Sequence, residues 1–193
     1  MTRYELPYIL EDKTGTLSSG SEFIDIHERM HLTMRCTAPR SFMLYNGPWP
    51  PPSSRSCTGH PTRPVLPHPL ASLQFSTTRD NAIALGTISV HNVPMSMRAY
   101  LVKPPGPATS IRRFVASDGQ QYQWSRRTQP NQEWTCTNNT NYIIASYSLK
   151  TPGEPEYAES SGCILEIAEQ FGRLAPEILA SLWIMRHIAA YDL

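Results

Sequence analysis

Hydrophobic and polar residues alternate along much of this chain and stop alternating near its end. Ile24, Ile26, Met30, Leu32 and Met34 interleave with Asp25, His27, Arg29, His31, Thr33 and Arg35, and only Glu28 interrupts the apolar set. A period of two predicts one half-buried strand over residues 24–34. Residues 73–76 and 83–91 read as strands, Pro94 breaks the run, and residues 97–102 resume it. A further strand is predicted over residues 142–149. Many short strands with frequent turn signals indicate an antiparallel β-sheet or barrel.

The clearest local unit is the segment Arg-Arg-Phe-Val-Ala-Ser-Asp-Gly-Gln-Gln-Tyr-Gln-Trp-Ser-Arg-Arg at residues 112–127. Asp118-Gly119 is a favoured two-residue hairpin turn. Closing the chain there pairs Val115 with Tyr122 and Arg113 with Trp124, and places these four on one face with Ile111 and Arg126. Arg113 is then positioned to stack on Trp124. Arg113, Tyr122, Trp124 and Arg126 become the candidate ligand-binding set, suited to an anion.

The alternation ends at Pro176, a residue that suits the first turn of a helix. Over residues 176–190 the apolar positions Ile178, Leu179, Leu182, Trp183, Ile184, Met185, Ile188 and Ala189 occupy most of the circumference. A helix apolar nearly all round is buried in protein or in lipid. Fifteen residues span about 22 Å, short of the roughly 30 Å hydrocarbon core. Burial inside a β-shell is therefore expected, with no transmembrane span.

Composition narrows the function. At 193 residues a single domain over 1–193 is the default. A net charge of +1 provides no broad field for nucleic acid. Residues 47–70 form a Pro-rich insertion loop, with eight prolines from Pro48 to Pro69, because proline lacks the donor that a sheet or helix needs. Its Pro61-Thr62-Arg63-Pro64 is formally a Pro-x-x-Pro ligand. Cys36, Cys57, Cys136 and Cys163 are scattered, with no Cys-x-x-Cys pair. The first residues carry no apolar signal region, so a cytoplasmic location with reduced thiols is expected.

His27-Glu28-Arg29-Met30-His31 is a literal His-Glu-x-x-His. On a helix it would bind zinc through His27 and His31 and leave Glu28 to activate water. In a strand both histidines face one side and Glu28 faces the other, so the base points away from the metal. The expectation is no metal, with a zinc-dependent hydrolase as the opposing reading. No phosphate loop, dinucleotide fingerprint or nucleophile elbow is present, so no cofactor is implied.

The pattern Arg-Phe-x-x-x-Asp-Gly-x-x-Tyr-x-Trp, at Arg113-Phe114, Asp118-Gly119, Tyr122 and Trp124, resembles the signature of a large, mainly basidiomycete fungal family known only as a domain of unknown function. Leu85-Gly86-Thr87-Ile88-Ser89-Val90-His91 upstream, and Ala145-Ser146-Tyr147 and Cys163-Ile164-Leu165-Glu166-Ile167 downstream, resemble its flanking strands. The resemblance covers residues 73–190. That family is similar in plan to tubby-like and LURP-one-like proteins, β-barrels around a C-terminal hydrophobic helix. The resemblance implies a mainly β fold, an antiparallel β-barrel-like sheet with a buried C-terminal α-helix. It also implies a non-enzymatic binding or scaffold module, with an anionic lipid head group or a protein as ligand.

Overall fold

The computed structural model describes residues 6–48, 68–80, 82–105, 110–155, 158 and 160–193. Among them, twelve antiparallel strands form one sheet. In chain order these are β1 (Tyr8–Asp12), β2 (Gly20–Asp25), β3 (His31–Ala38), β4 (Ser41–Asn46), β5 (Ala71–Thr77), β6 (Ile83–Val90), β7 (Val93–Ser96), β8 (Arg112–Val115), β9 (Gln121–Arg126), β10 (Trp134–Asn138), β11 (Ile143–Ser148) and β12 (Cys163–Ile167). A short helix α1 (Met97–Tyr100) links β7 to β8, and a 3-10 turn (Glu169–Leu174) leads into α2 (Ala175–Tyr191).

The strand order is β7-β6-β5-β4-β3-β2-β1-β12-β11-β10-β9-β8. Every neighbour is a hairpin partner except one, the long-range pairing of β1 with β12 (Tyr8 with Ile167, Asp12 with Cys163). That pairing joins the two halves of the chain. The sheet is not closed, and β7 and β8 are left as its edges.

The sheet wraps around α2, whose buried run from Ala175 to Ile188 omits only Pro176. Phe23 of β2 and Phe42 of β4 pack on Trp183, with ring centroids 6.3 and 5.6 Å away. Phe75 of β5 stacks on His187 at 4.1 Å. From the other half of the sheet, Trp124 of β9 donates its indole N–H to Ser181 Oγ at 2.8 Å. Contacts from both halves require a curled sheet, and alternation along each strand supplies the inward set, as in β12, where Cys163, Leu165 and Ile167 are buried and Ile164 and Glu166 are exposed. The predicted helix over 176–190 is thus present and buried. Asp192 in the left-handed region (φ 51) ends it.

Three local expectations are corrected. The strand over 24–34 is two strands: β2 ends at Asp25 and β3 begins at His31, with Glu28 between them at φ 57. The cause is the Asp25 side chain, whose carboxylate accepts from Arg29 Nε at 2.8 Å and from the Arg29 backbone N–H at 3.2 Å, closing a turn within an alternating sequence. The strand over 97–102 is α1 followed by an isolated bridge, Val102 to Arg113. Ser96 caps α1 by accepting from Ala99 N–H at 3.1 Å. Pro94 does not end a strand but lies inside β7, where an edge position tolerates its missing donor. Strands β1, β4 and β10 are not among those predicted from the alternation. Of the predicted Pro-rich loop over 47–70, residues 49–67 lie outside the described residues. The described flanks join paired neighbours, since Leu44 of β4 faces Ala71 of β5.

Candidate functional site

The hairpin at 112–127 is present, but its loop is one residue longer than a two-residue turn. Ala116 N–H donates to Gln120 O at 3.0 Å and Gly119 N–H to Ala116 O at 2.9 Å. Only Gly119 of the Asp-Gly pair takes a positive φ, at 76°. This is the three-residue loop in which a left-handed glycine follows an ordinary turn. Asp118 holds it, accepting from Gln120 N–H at 2.9 Å and from the Tyr122 hydroxyl at 2.6 Å. The extra residue moves the register by one: Phe114 faces Tyr122, Arg113 faces Gln123 and Arg112 faces Trp124. A slip of one exchanges the faces of a strand.

The predicted pairing of Arg113 with Trp124 and of Val115 with Tyr122 is therefore corrected, as is the shared face. Trp124 and Tyr122 are inside, fully or almost fully buried. Burial, first, and the bond to Asp118 push the Tyr122 phenol well above its ordinary range. Arg113 is exposed on the outer face, where Nε donates to Gln123 Oε1 at 2.9 Å. Arg126 lies on the inward side at the rim, 5.6 Å from the Trp134 ring and 2.7 Å from Glu133 Oε1. Arg127 holds the other oxygen of Glu133 at 2.7 Å. Burial raises the Glu133 carboxyl, but the bonds from Arg127 and Arg126 outweigh it and hold the group below the usual range. The four candidate residues thus divide into one cation on the outer face (Arg113), one on the inward side at the rim (Arg126), and two core aromatics, Tyr122 and Trp124.

His27 is exposed in the β2–β3 turn, and His31 lies in β3 with Nε2 3.4 Å from Glu22 Oε2. The shared polar face expected of the two histidines is corrected by the turn between them. No group of three or more His, Cys, Asp or Glu among the described residues is placed to hold a metal ion.

The buried polar groups were missed by sequence reasoning. Asp12, fully buried, accepts from Ser21 Oγ at 2.5 Å, from Gly15 N–H at 2.9 Å, from the Tyr147 hydroxyl at 2.7 Å and from Arg186 Nη1 at 3.2 Å. Arg186 also donates to Gly15 O at 2.6 Å and lies 4.6 Å over the Tyr147 ring. This network ties α2 to β1, β2 and β11. At the other end of α2, buried Glu177 accepts from Ser117 N–H at 2.9 Å and from the Ser117 hydroxyl, and His91 Nε2 lies 3.4 Å away. The only signals in the sequence were Glu177, Ser181, Arg186 and His187 as polar breaks in an apolar helix.

The recesses lie on the outside. One of about 350 Å³ at the rim beside the end of α2 is lined by Lys103, Ser110, Arg112, Arg126, Trp134, Asp192 and Leu193. Arg112 is buried in its wall and donates to Leu193 O at 3.3 Å, and burial lowers its guanidinium. A polar recess of about 200 Å³ on the outer face joins Arg113, Gln121 and Gln123 to Asn138, Asn139 and Asn141.

The fold defines a mainly β protein whose single sheet is folded around its C-terminal helix. Residues 38–189 match the model of a family of unknown function, DUF6593, and the chain belongs to that family. No curated protein and no solved structure matches it. No helix among the described residues is long and apolar enough to cross a membrane.

Proposed function

We propose that this chain is a non-enzymatic binding or scaffold module of the fungal cytosol that takes an anionic ligand, such as a lipid head group, at the rim of its sheet. The observation that carries the reading is the convergence of Lys103, Arg112 and Arg126 from three separate segments on one recess beside Trp134. Among the described residues, three cations against one side-chain carboxylate, Asp192, leave the recess net positive and suited to an anion. The interior supports a non-enzymatic role, because Asp12 and Glu177 are both committed to holding α2. Of the hairpin residues, Arg126 is the contact residue at the rim, Tyr122 and Trp124 anchor the ribbon beneath, and Arg113 offers a second cation on the outer face. The likeness in plan to tubby-like proteins favours the same ligand class.

The test is co-sedimentation with phosphatidylcholine vesicles carrying or lacking a phosphoinositide. A preference for the charged vesicles that falls in Arg126→Ala and Lys103→Ala is the expected result. Equal sedimentation with both vesicles would overturn the lipid ligand.

A further inference from the structure

The two edges of the sheet leave a groove that the networks above do not use. Among the described residues, β7 and β8 are joined there through α1 and the bridge between Val102 and Arg113. The groove holds about 420 Å³ and is lined by Met95 of β7, Ala99 of α1, Val102, Pro104 and Pro105 of the connection, and Val115 of β8. Val102 and Val115 are 51% and 57% exposed. Exposed β-branched residues at a sheet edge are a liability unless something covers them. Charge in the groove is one-sided among the described residues, since Lys103 and Arg113 line it and no carboxylate among them does.

We propose that this groove docks an extended segment of a partner protein in which apolar side chains alternate with aspartate or glutamate. The proposal rests on the reading of the chain as a binding module, but uses a groove that shares only Lys103 with the rim recess. Apolar side chains of the segment enter between Val102 and Val115, and its carboxylates meet Arg113 and Lys103. Recognition is by side chains, not by strand addition. Pro94 removes a donor from the β7 edge, and Arg113 already exchanges backbone bonds of 2.8 Å with Val102. Shape favours a peptide over a bilayer: the apolar side chains line a concave trough, which receives side chains, whereas lipid insertion needs protruding ones.

The experiment pans phage-displayed random peptides of about twelve residues, long enough when extended to span roughly 40 Å, on the full chain. Enriched peptides are then titrated by fluorescence anisotropy. Asp or Glu flanking Leu, Ile, Val or Phe is the expected consensus. Val115→Asp should weaken binding about tenfold or more, and Arg113→Ala a few-fold with a shallower salt dependence. Arg126→Ala should leave it unchanged. Circular dichroism verifies that Val115→Asp, an exposed position, is folded. No enrichment, a neutral or basic consensus, or binding indifferent to both groove variants would overturn the proposal. Phosphoinositide vesicles that bind through Val115 without any peptide enrichment would assign the groove to a membrane and overturn it too. Vesicle binding that depends on Arg126 while peptides fail would leave the binding-module reading standing alone. If both fail, both readings fall.

Discussion

At the scale of single residues, stability is concentrated in polar groups buried against α2. Asp12 and Arg186 form an ion pair in which Asp12 also accepts from Ser21, Gly15 and Tyr147 and Arg186 also donates to Gly15 O. Removing one member leaves a desolvated charge, so Asp12→Ala should cost about 3–5 kcal/mol in urea unfolding. Asp12→Leu combined with Arg186→Met should cost less than Asp12→Ala alone, because both charges then leave together. His187 gives a second expectation. Burial pushes its imidazole down to about 4 from an ordinary 6.5, with the bond to Trp183 O opposing and Arg186 adding to the lowering. The folded state therefore resists a proton that the unfolded chain accepts, and stability falls as pH drops from 6.5 towards 4. Between pH 7.5 and pH 4.5 the loss from this group should be roughly 2–3 kcal/mol by urea titration, and His187→Phe should flatten that slope.

At the scale of elements, α2 is the body on which the sheet is built. Trp183 touches Phe23 and Phe42 from neighbouring parts of the sheet, and Trp124 reaches Ser181 from the opposite half. Trp183→Ala should therefore cost about 3–5 kcal/mol, measured as a shift of the urea midpoint at unchanged slope. A chain ending before Pro176 should lose its cooperative transition; a soluble truncated chain that still unfolds cooperatively would show α2 to be an appendage. The strands contain their own devices. β6 bulges at Leu85 and Gly86 opposite Phe75 of β5, between the pairs Gln74–Thr87 and Ser76–Ala84, and a Cβ at Gly86 would lie 2.0 Å from Gln74 O. The bulge exists because Gly86 lets the backbones approach, a relation between two strands that neither strand's pattern reveals.

At the scale of the whole molecule, the β1–β12 pairing decides whether there is one sheet or two. Strands β1 and β2 precede the family match at residues 38–189, and β3 reaches only its first residue, yet the three lie between β4 and β12. The Pro-rich segment contributes differently. Because Leu44 and Ala71 are already paired neighbours, a Gly/Ser linker of about four residues can replace residues 48–69 as an ordinary hairpin connection. The expected change in thermal midpoint is small, and a fall in stability beyond about 2 kcal/mol would show that the segment packs on the core. What the sequence by itself determined was the class of each long segment. The mainly β character, the hairpin around Asp118-Gly119 and the buried helix after Pro176 are all local matters of periodicity and turn chemistry. Register and assignment to a face were not local. Asp118 bonding to Tyr122 lengthened one loop and carried Trp124 inside and Arg113 outside; Asp25 bonding to Arg29 split one alternating run into two strands. The gathering of Lys103, Arg112 and Arg126, and the groove between Val102 and Val115, depend on where two distant sheet edges come to rest around α2. That placement arises only when the sheet curls to bury the helix, because no short-range pattern encodes which residues meet across it.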